Sequence, residues 1–224
     1  MACAGIVKME PNTARGGALN PGTHPDMNLD EGHLGGYIRG HQSAVPTVYG
    51  FEHGDPATWT PDLWRWACET LGVASVLDVG CGEGHSARFF RDLGCRVVGV
   101  DGSVQARRDS VIPEQHVLHD YTSGAYFPGD DFDLVWSCEF VEHVEKRYLA
   151  NFLATFACGQ RYLMMTFADP GQPGHHHVNC QPAQYWIEKL ETIGFRFDET
   201  RTTDSRELAP TGHYRRSGLF FARP

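Results

Sequence analysis

A chain of 224 residues with 41% hydrophobic content is sized for one globular domain with some chain to spare. Nineteen Lys+Arg against 28 Asp+Glu leave a net charge of −9, which excludes a phosphate-neutralising nucleic-acid surface and a basic membrane anchor. No apolar run approaches the roughly 20 residues of a membrane-spanning helix, and the twelve histidines are the odd entry in the count.

Residues 1–58 carry ten glycines and five prolines, including Gly16-Gly17, Asn20-Pro21-Gly22 and Gly35-Gly36, and few sustained apolar patterns. Such a segment buries little surface alone, so it is read as a tail and an arm that covers the domain. Tyr37 and Tyr49 are the residues expected to fold over a bound ligand as a lid, with Trp64 and Trp66 assigned to the core. Met1 to Glu10 lack the basic start and apolar stretch of a secretory leader. The seven cysteines (Cys3, Cys68, Cys81, Cys95, Cys138, Cys158 and Cys180) are scattered and never form a Cys-x-x-Cys pair, which reads as reduced thiols in a cytoplasm.

Regular elements begin at Thr60-Pro61, where Thr60 can cap a helix with proline in its first position and Leu63, Trp64, Ala67 and Leu71 at helical spacing. Ser75–Val79 predicts a buried strand, Ser86–Leu93 a helix, Arg96–Asp101 a second strand and Val104–Val111 a second short helix. Gln115–His119 is a weak third strand and Phe132–Ser137 a clear fourth. Val141, Val144, Tyr148, Leu149, Phe152, Leu153 and Phe156 then predict one continuous helix with an apolar stripe. Arg161–Phe167 is a fifth strand, Pro182–Ile193 a helix, and Phe195–Arg201 and Leu219–Ala222 two late strands. Alternation of this kind predicts a doubly wound, Rossmann-like α/β fold over 59–224, mostly parallel, with an antiparallel edge strand.

In such a sheet, ligands sit beyond the carboxyl ends of the strands. The first of these ends reads Leu77-Asp-Val-Gly-Cys-Gly-Glu-Gly-His85, and Asp101 follows the second strand where an acid can meet ribose hydroxyls. A dinucleotide fits badly, because His85 stands where the sixth position of a G-x-G-x-x-G/A loop needs a small residue. Asp78 and Glu83 would also repel a pyrophosphate. A ribose-bearing ligand with a cationic amine and no phosphate fits better.

With Val76-Leu-Asp-Val-Gly-Cys-Gly-Glu-Gly84, Val98-Gly-Val-Asp-Gly-Ser103 and Phe132-Asp-Leu-Val-Trp-Ser-Cys-Glu139 in order, the chain resembles the class I S-adenosylmethionine-dependent methyltransferases. The resemblance implies a seven-stranded sheet and S-adenosylmethionine as methyl donor, released as S-adenosylhomocysteine. It places Asp78, Gly80, Cys81 and Gly82 near the methionine part, Asp101 on the ribose, and Gly102, Ser103, Asp120 and Tyr121 near the adenine. Cys138 and Glu139 close the cofactor set.

For the acceptor, two segments qualify. Cys138-Glu-Phe-Val-Glu-His-Val144 looks like the equivalent stretch of ubiquinone-type O-methyltransferases, some of which link residues matching Glu139, Glu142 and His143 to a divalent metal. The same residues could instead open the next helix. Gly171-Gln-Pro-Gly-His-His-His-Val-Asn-Cys180 resembles the loop before the final helix of many small-molecule methyltransferases. His176 or His177 is the expected base there, with Asn179 orienting a ring or a hydroxyl and His143 a further catalytic candidate. A structural loop and metal ligation are the alternatives. The overall expectation is O-methylation of a small molecule, a sugar or natural-product intermediate, by a protein that binds neither nucleic acid nor membrane, with a homodimer as the candidate assembly. N-methylation of an amino sugar or amine, and a non-catalytic binding protein of the same fold, are the rivals.

Overall fold

A computed structural model describes residues 54–209 and 211–224. Tyr37, Tyr49 and the expected lid lie outside the described residues. The chain forms β1 (Ser75–Val79), β2 (Arg96–Asp101), β3 (His116–Leu118), β4 (Phe132–Ser137), β5 (Gly159–Met165), β6 (Arg196–Phe197) and β7 (Leu219–Ala222). Its helices are α1 (Pro61–Glu69), α2 (His85–Asp92), α3 (Val104–Arg108), α4 (Leu149–Phe156), α5 (Ala183–Glu191), α6 (Glu199–Leu208) and α7 (Gly212–Ser217).

The strands lie in the order β3-β2-β1-β4-β5-β7-β6, with β1 to β5 parallel and β7 antiparallel to both of its neighbours. Alternate side chains along each strand feed opposite layers, as the two-residue pleat requires. Leu77, Val135 and Leu163 join Phe152, Phe156 and Trp186 of α4 and α5 on one face. Val76, Leu134 and Met164 join Trp64, Phe90 and Tyr214 of α1, α2 and α7 on the other. Each layer excludes water from one side of the parallel strands, which is why β1, β2 and β4 read as nearly continuous apolar runs. Trp64 is fully buried and Trp66 packs at the rim of the same layer, while Trp59 meets Trp64 edge-on with ring centroids 5.0 Å apart.

Two expected elements differ. The strand over Phe195–Arg201 stops at Phe197, because the Asp198 carboxylate accepts the Arg201 amide at 2.8 Å and caps α6. The gap before β7 is therefore helical. The continuous helix from Val141 is broken into 3-10 turns at Val141–His143 and Lys146–Tyr148, with α4 starting only at Leu149. Val178 and Asn179 donate their amides to the Glu142 carbonyl at 2.9 and 3.0 Å, and the Asn179 side chain donates to the Val141 carbonyl at 3.2 Å. Carbonyls diverted to another loop cannot accept the i+4 amides an α-helix needs. Val141 stays buried and Val144 still packs against the same core, so the apolar stripe was right although the continuous helix was not.

Candidate active site

The carboxyl ends of β1 to β5 open into one cavity of about 540 Å³, within the range of small-ligand sites. The chain order divides its wall in two. Loops after β1, β2 and β3 supply one half. Loops after β4 and β5 supply the other, and the reversal of strand order between β1 and β4 sets the crevice between them.

The glycine loop is shaped by packing as well as by turning. Gly80 has φ 78°, and a Cβ there would lie 2.5 Å from Cβ of Phe140. Gly84 has φ 86°, and a Cβ would meet Ile112 at 2.3 Å. Only glycine satisfies both constraints at these positions. Asp101 is clamped by the amides of Gly82 (2.8 Å) and Ser103 (2.7 Å), which leaves carboxylate lone pairs facing the cavity for hydroxyl donors. Burial raises its pKa against those amide bonds. Asp78 is buried and accepts the Ser86 hydroxyl; burial pushes its carboxyl up to about 7, with Asp101 adding and Ser86 opposing. Asp120 folds back on Thr122, taking its amide and hydroxyl at 2.7 Å each. Tyr121 is nearly buried against Phe140, and burial raises its phenol pKa.

Cys81, Gly82, Gly102, Asp120, Tyr121 and Cys138 all line the cavity. Burial pushes the Cys81 and Cys138 thiols far up, so both are apolar wall. Ser103 is not among the lining residues. Its hydroxyl accepts the Ala106 amide at 3.1 Å and caps α3, so its part is to hold Asp101 in place. A ribose and a cationic amino-acid moiety fit this lining: Asp101 offers acceptors for hydroxyls, and Asp78 and Glu83 offset positive charge.

The second half is built from segments far apart in the chain. Glu139 sits at φ 53° with its amide on the Thr166 hydroxyl at 2.8 Å, and His176 sits at φ 51°. A left-handed backbone in a non-glycine residue is a cost that the surroundings must hold. His143 donates Nδ1–H to the His176 carbonyl at 3.3 Å, and His177 donates Nδ1–H to the Gln172 carbonyl at 3.1 Å. Since a carbonyl only accepts, Nδ1 is the donor in both rings, and a neutral ring held this way keeps its lone pair on Nε2. The two rings meet edge to face with centroids 5.1 Å apart. Burial drives His143 down to about 4, partly opposed by Glu139. Glu142 is fully buried, and burial reinforced by the Glu139 charge lifts it to about 8. Asn179 ties the two loops together through Val141 and touches neither ring by a hydrogen bond.

His213, Asp55 and Arg216 carried no signal in the sequence, yet all three line the cavity. His213 Nε2 lies 2.7 Å from Asp55 Oδ2 and Nδ1 lies 3.1 Å from Glu139 Oε1. Burial opposes its charge, but the two carboxylates win and raise it to about 9, while His213 pulls Glu139 down against the effect of burial. Gly212 makes this possible: at φ 84° its missing Cβ would lie 2.1 Å from the Ala57 carbonyl, so α7 can abut the turn at Pro56–Thr58. A Thr-Gly-His triplet 158 residues from its aspartate leaves no local pattern to find.

The fold, the glycine loop and the clamped Asp101 are those expected of an S-adenosylmethionine-dependent methyltransferase domain. A family model described as a methyltransferase domain matches residues 51–201, and the chain belongs to that family. Its sequence is 35% identical over 121 residues to a probable chloroplastic tocopherol O-methyltransferase of Oryza sativa, covering 49% of this chain and 31% of that protein. The chain spans only 26% to 53% of the length of the first curated relatives it matches. Among solved structures it resembles the magnesium protoporphyrin IX methyltransferase of Synechocystis PCC 6803, with a TM-score of 0.56 at 16% identity, covering 79% of this chain and 91% of that one. A sugar N-methyltransferase from Streptoalloteichus gives a TM-score of 0.55 at 18% identity, covering 82% and 99%. Among the described residues no helix is long and apolar enough to cross a membrane.

Proposed function

We propose that this domain transfers a methyl group from S-adenosylmethionine to an oxygen of a small molecule, a sugar or natural-product intermediate, bound at the histidine-lined half of the cavity. The observation that carries this reading is the convergence of His143, His176 and His177 on the same cavity as Asp78 and Asp101. A hydroxyl must lose its proton as it attacks, whereas a neutral amine already presents a lone pair. A wall rich in imidazole is therefore better matched to an oxygen acceptor. The name of the rice relative, an O-methyltransferase, supports the same choice, while the Streptoalloteichus neighbour keeps nitrogen as the rival.

The methyl donor supplies an electrophilic carbon on a cationic sulfur; the acceptor oxygen forms the new C–O bond as the C–S pair returns to sulfur. The chain does the rest. Asp101 and the glycine loop hold the nucleoside, and Asp78 favours the positive charge near it. The cavity walls hold the acceptor in line and exclude water. His176 takes the hydroxyl proton: its carbonyl is fixed by His143, and its left-handed backbone sets a ring that lines the cavity. His177 and His143 are then wall and partners, not the base. Replacing His176 by alanine under saturating donor tests this directly. The expected result is lost turnover with donor affinity kept, and unchanged turnover would remove His176 from the chemistry.

A further inference from the structure

Cys68 on α1 and Cys95 just before β2 bring their sulfurs to 3.5 Å, and among the described residues no other two cysteine sulfurs are in contact. Backbone bonds fix both sides of this contact. The Cys95 amide reaches the Phe90 carbonyl at 3.0 Å after α2 ends at Gly94, with φ 94°. The Val73 amide reaches the Ala67 carbonyl at 3.2 Å after α1. The Cys95 thiol donates to the Val73 carbonyl at 3.4 Å, which leaves the Cys68 thiol to donate to the Cys95 sulfur. Cys95 is buried in the layer under α1 and α2, whereas Cys68 is only half-buried. Neither lines the cavity: the pair lies at the amino end of β2, about 20 Å of strand away from Asp101.

We propose that Cys68 and Cys95 form a redox modification site, a dithiol that a low-molecular-weight disulfide converts to an intramolecular disulfide. Cys68, the less buried sulfur, is the point of entry. Its thiolate attacks one sulfur of the reagent disulfide, that S–S bond breaks, and one reagent thiol leaves with a proton. Cys95 then attacks the Cys68 sulfur, releases the second reagent thiol and closes the protein disulfide. The two cysteines lose two hydrogens and the reagent gains them. Closing the bond needs the sulfurs to approach by about 1.5 Å. Burial, the Cys95 sulfur and the Glu69 charge push the Cys68 thiol up to about 12. Burial raises Cys95 too, with the Cys68 contact opposing and Asp133 adding, so the exchange is slow near neutral pH and faster in mild alkali. The closed ring spans 68–95 and holds β1, the glycine loop and α2. A cross-link there removes freedom from the unfolded chain and stabilises the unit that presents Asp78, Gly80 and Gly82 to the cavity.

The test treats the full chain with 4,4′-dithiodipyridine at about pH 8.5, where more thiolate is present, and maps the products by mass spectrometry. Cleavage after Glu69 separates Cys68 from Cys81, so the two are told apart. The expected product is a Cys68–Cys95 cross-link two hydrogens lighter than the dithiol, with no pyridyl adduct on either sulfur. Cys95→Ser should instead keep the adduct on Cys68. A Cys158→Ser/Cys180→Ser chain, which lacks the other two half-buried thiols, should cross-link as the parent does. Once cross-linked, it should melt about 5 °C or more above its reduced form. No cross-link in the parent chain, an adduct that persists on Cys68 beside a free Cys95, or a link from either cysteine to another overturns the site. A melting temperature at or below that of the reduced form removes the stabilising role. Mapping of the parent chain needs no variant, so a substitution that does not fold leaves the test standing.

Discussion

The two halves of the cavity are stabilised in different ways. After β1, β2 and β3, the carboxylates are satisfied by nearby amides and hydroxyls: Asp101 by the amides of Gly82 and Ser103, Asp120 by the amide and hydroxyl of Thr122, Asp78 by the hydroxyl of Ser86. After β4 and β5, the wall carries two non-glycine residues in left-handed backbone, an orphaned buried carboxyl and a histidine pair that faces inward. In the first half the carboxylates are already held in place, as a surface for a constant ligand would need. The second holds unspent polar capacity, which is what a variable acceptor and a proton transfer need.

The largest effect that bears on this contrast is expected at His176. His176→Ala should lower kcat by about a hundredfold or more, as loss of a general base does, with donor affinity by calorimetry unchanged. A parallel loss of donor binding would erase the division between the halves. Next is Asp101→Ala, which removes a charged hydrogen-bonding group and should weaken S-adenosylmethionine by roughly 10- to 100-fold. Titration calorimetry reads this, and a change of less than about threefold would place the ribose elsewhere. Gly84→Ala forces a Cβ into Ile112 from a left-handed backbone, so it should cost about 1–3 kcal/mol in denaturant unfolding.

A further effect is one of pH. Asp78 has its pKa raised from 3.8 to about 7 by burial. The folded chain therefore holds a proton that the unfolded chain releases, and this group's contribution to stability declines as pH rises from about 4 to about 7. Donor affinity moves the other way, tightening as the Asp78 carboxylate forms to face a cationic ligand. Unfolding and calorimetric titrations across that window should show opposite slopes, and parallel slopes would separate Asp78 from the donor.

The same contrast governs what could be read from the chain. The strands Ser75–Val79, Arg96–Asp101, Phe132–Ser137 and Leu219–Ala222 were expected with the ends they have, because apolar runs bounded by glycine or charge are local signals. Gly80, Gly82 and Asp101, which line the cavity, stood out at those strand ends for the same reason. The break after Val141 was not, since it depends on Asn179 claiming a carbonyl 38 residues away. For the histidine run at 175–177 a metal reading lacked a second set of ligands in the sequence; pairing of β4 with β5 brings His177 beside Glu139, Glu142 and His143. His213 was hidden for a similar reason, as its partners Asp55 and Glu139 come from opposite ends of the domain.

The proposed function joins, in one cavity, a nucleoside-binding half to a half that deprotonates a hydroxyl. It is tested most directly by incubating the purified chain with methyl-labelled S-adenosylmethionine and a panel of hydroxyl- and amine-bearing sugars and small metabolites, then locating the label by mass spectrometry. Label is expected on oxygen, abolished by His176→Ala at saturating donor. Label on nitrogen, or label on oxygen that survives His176→Ala at full rate, would contradict it.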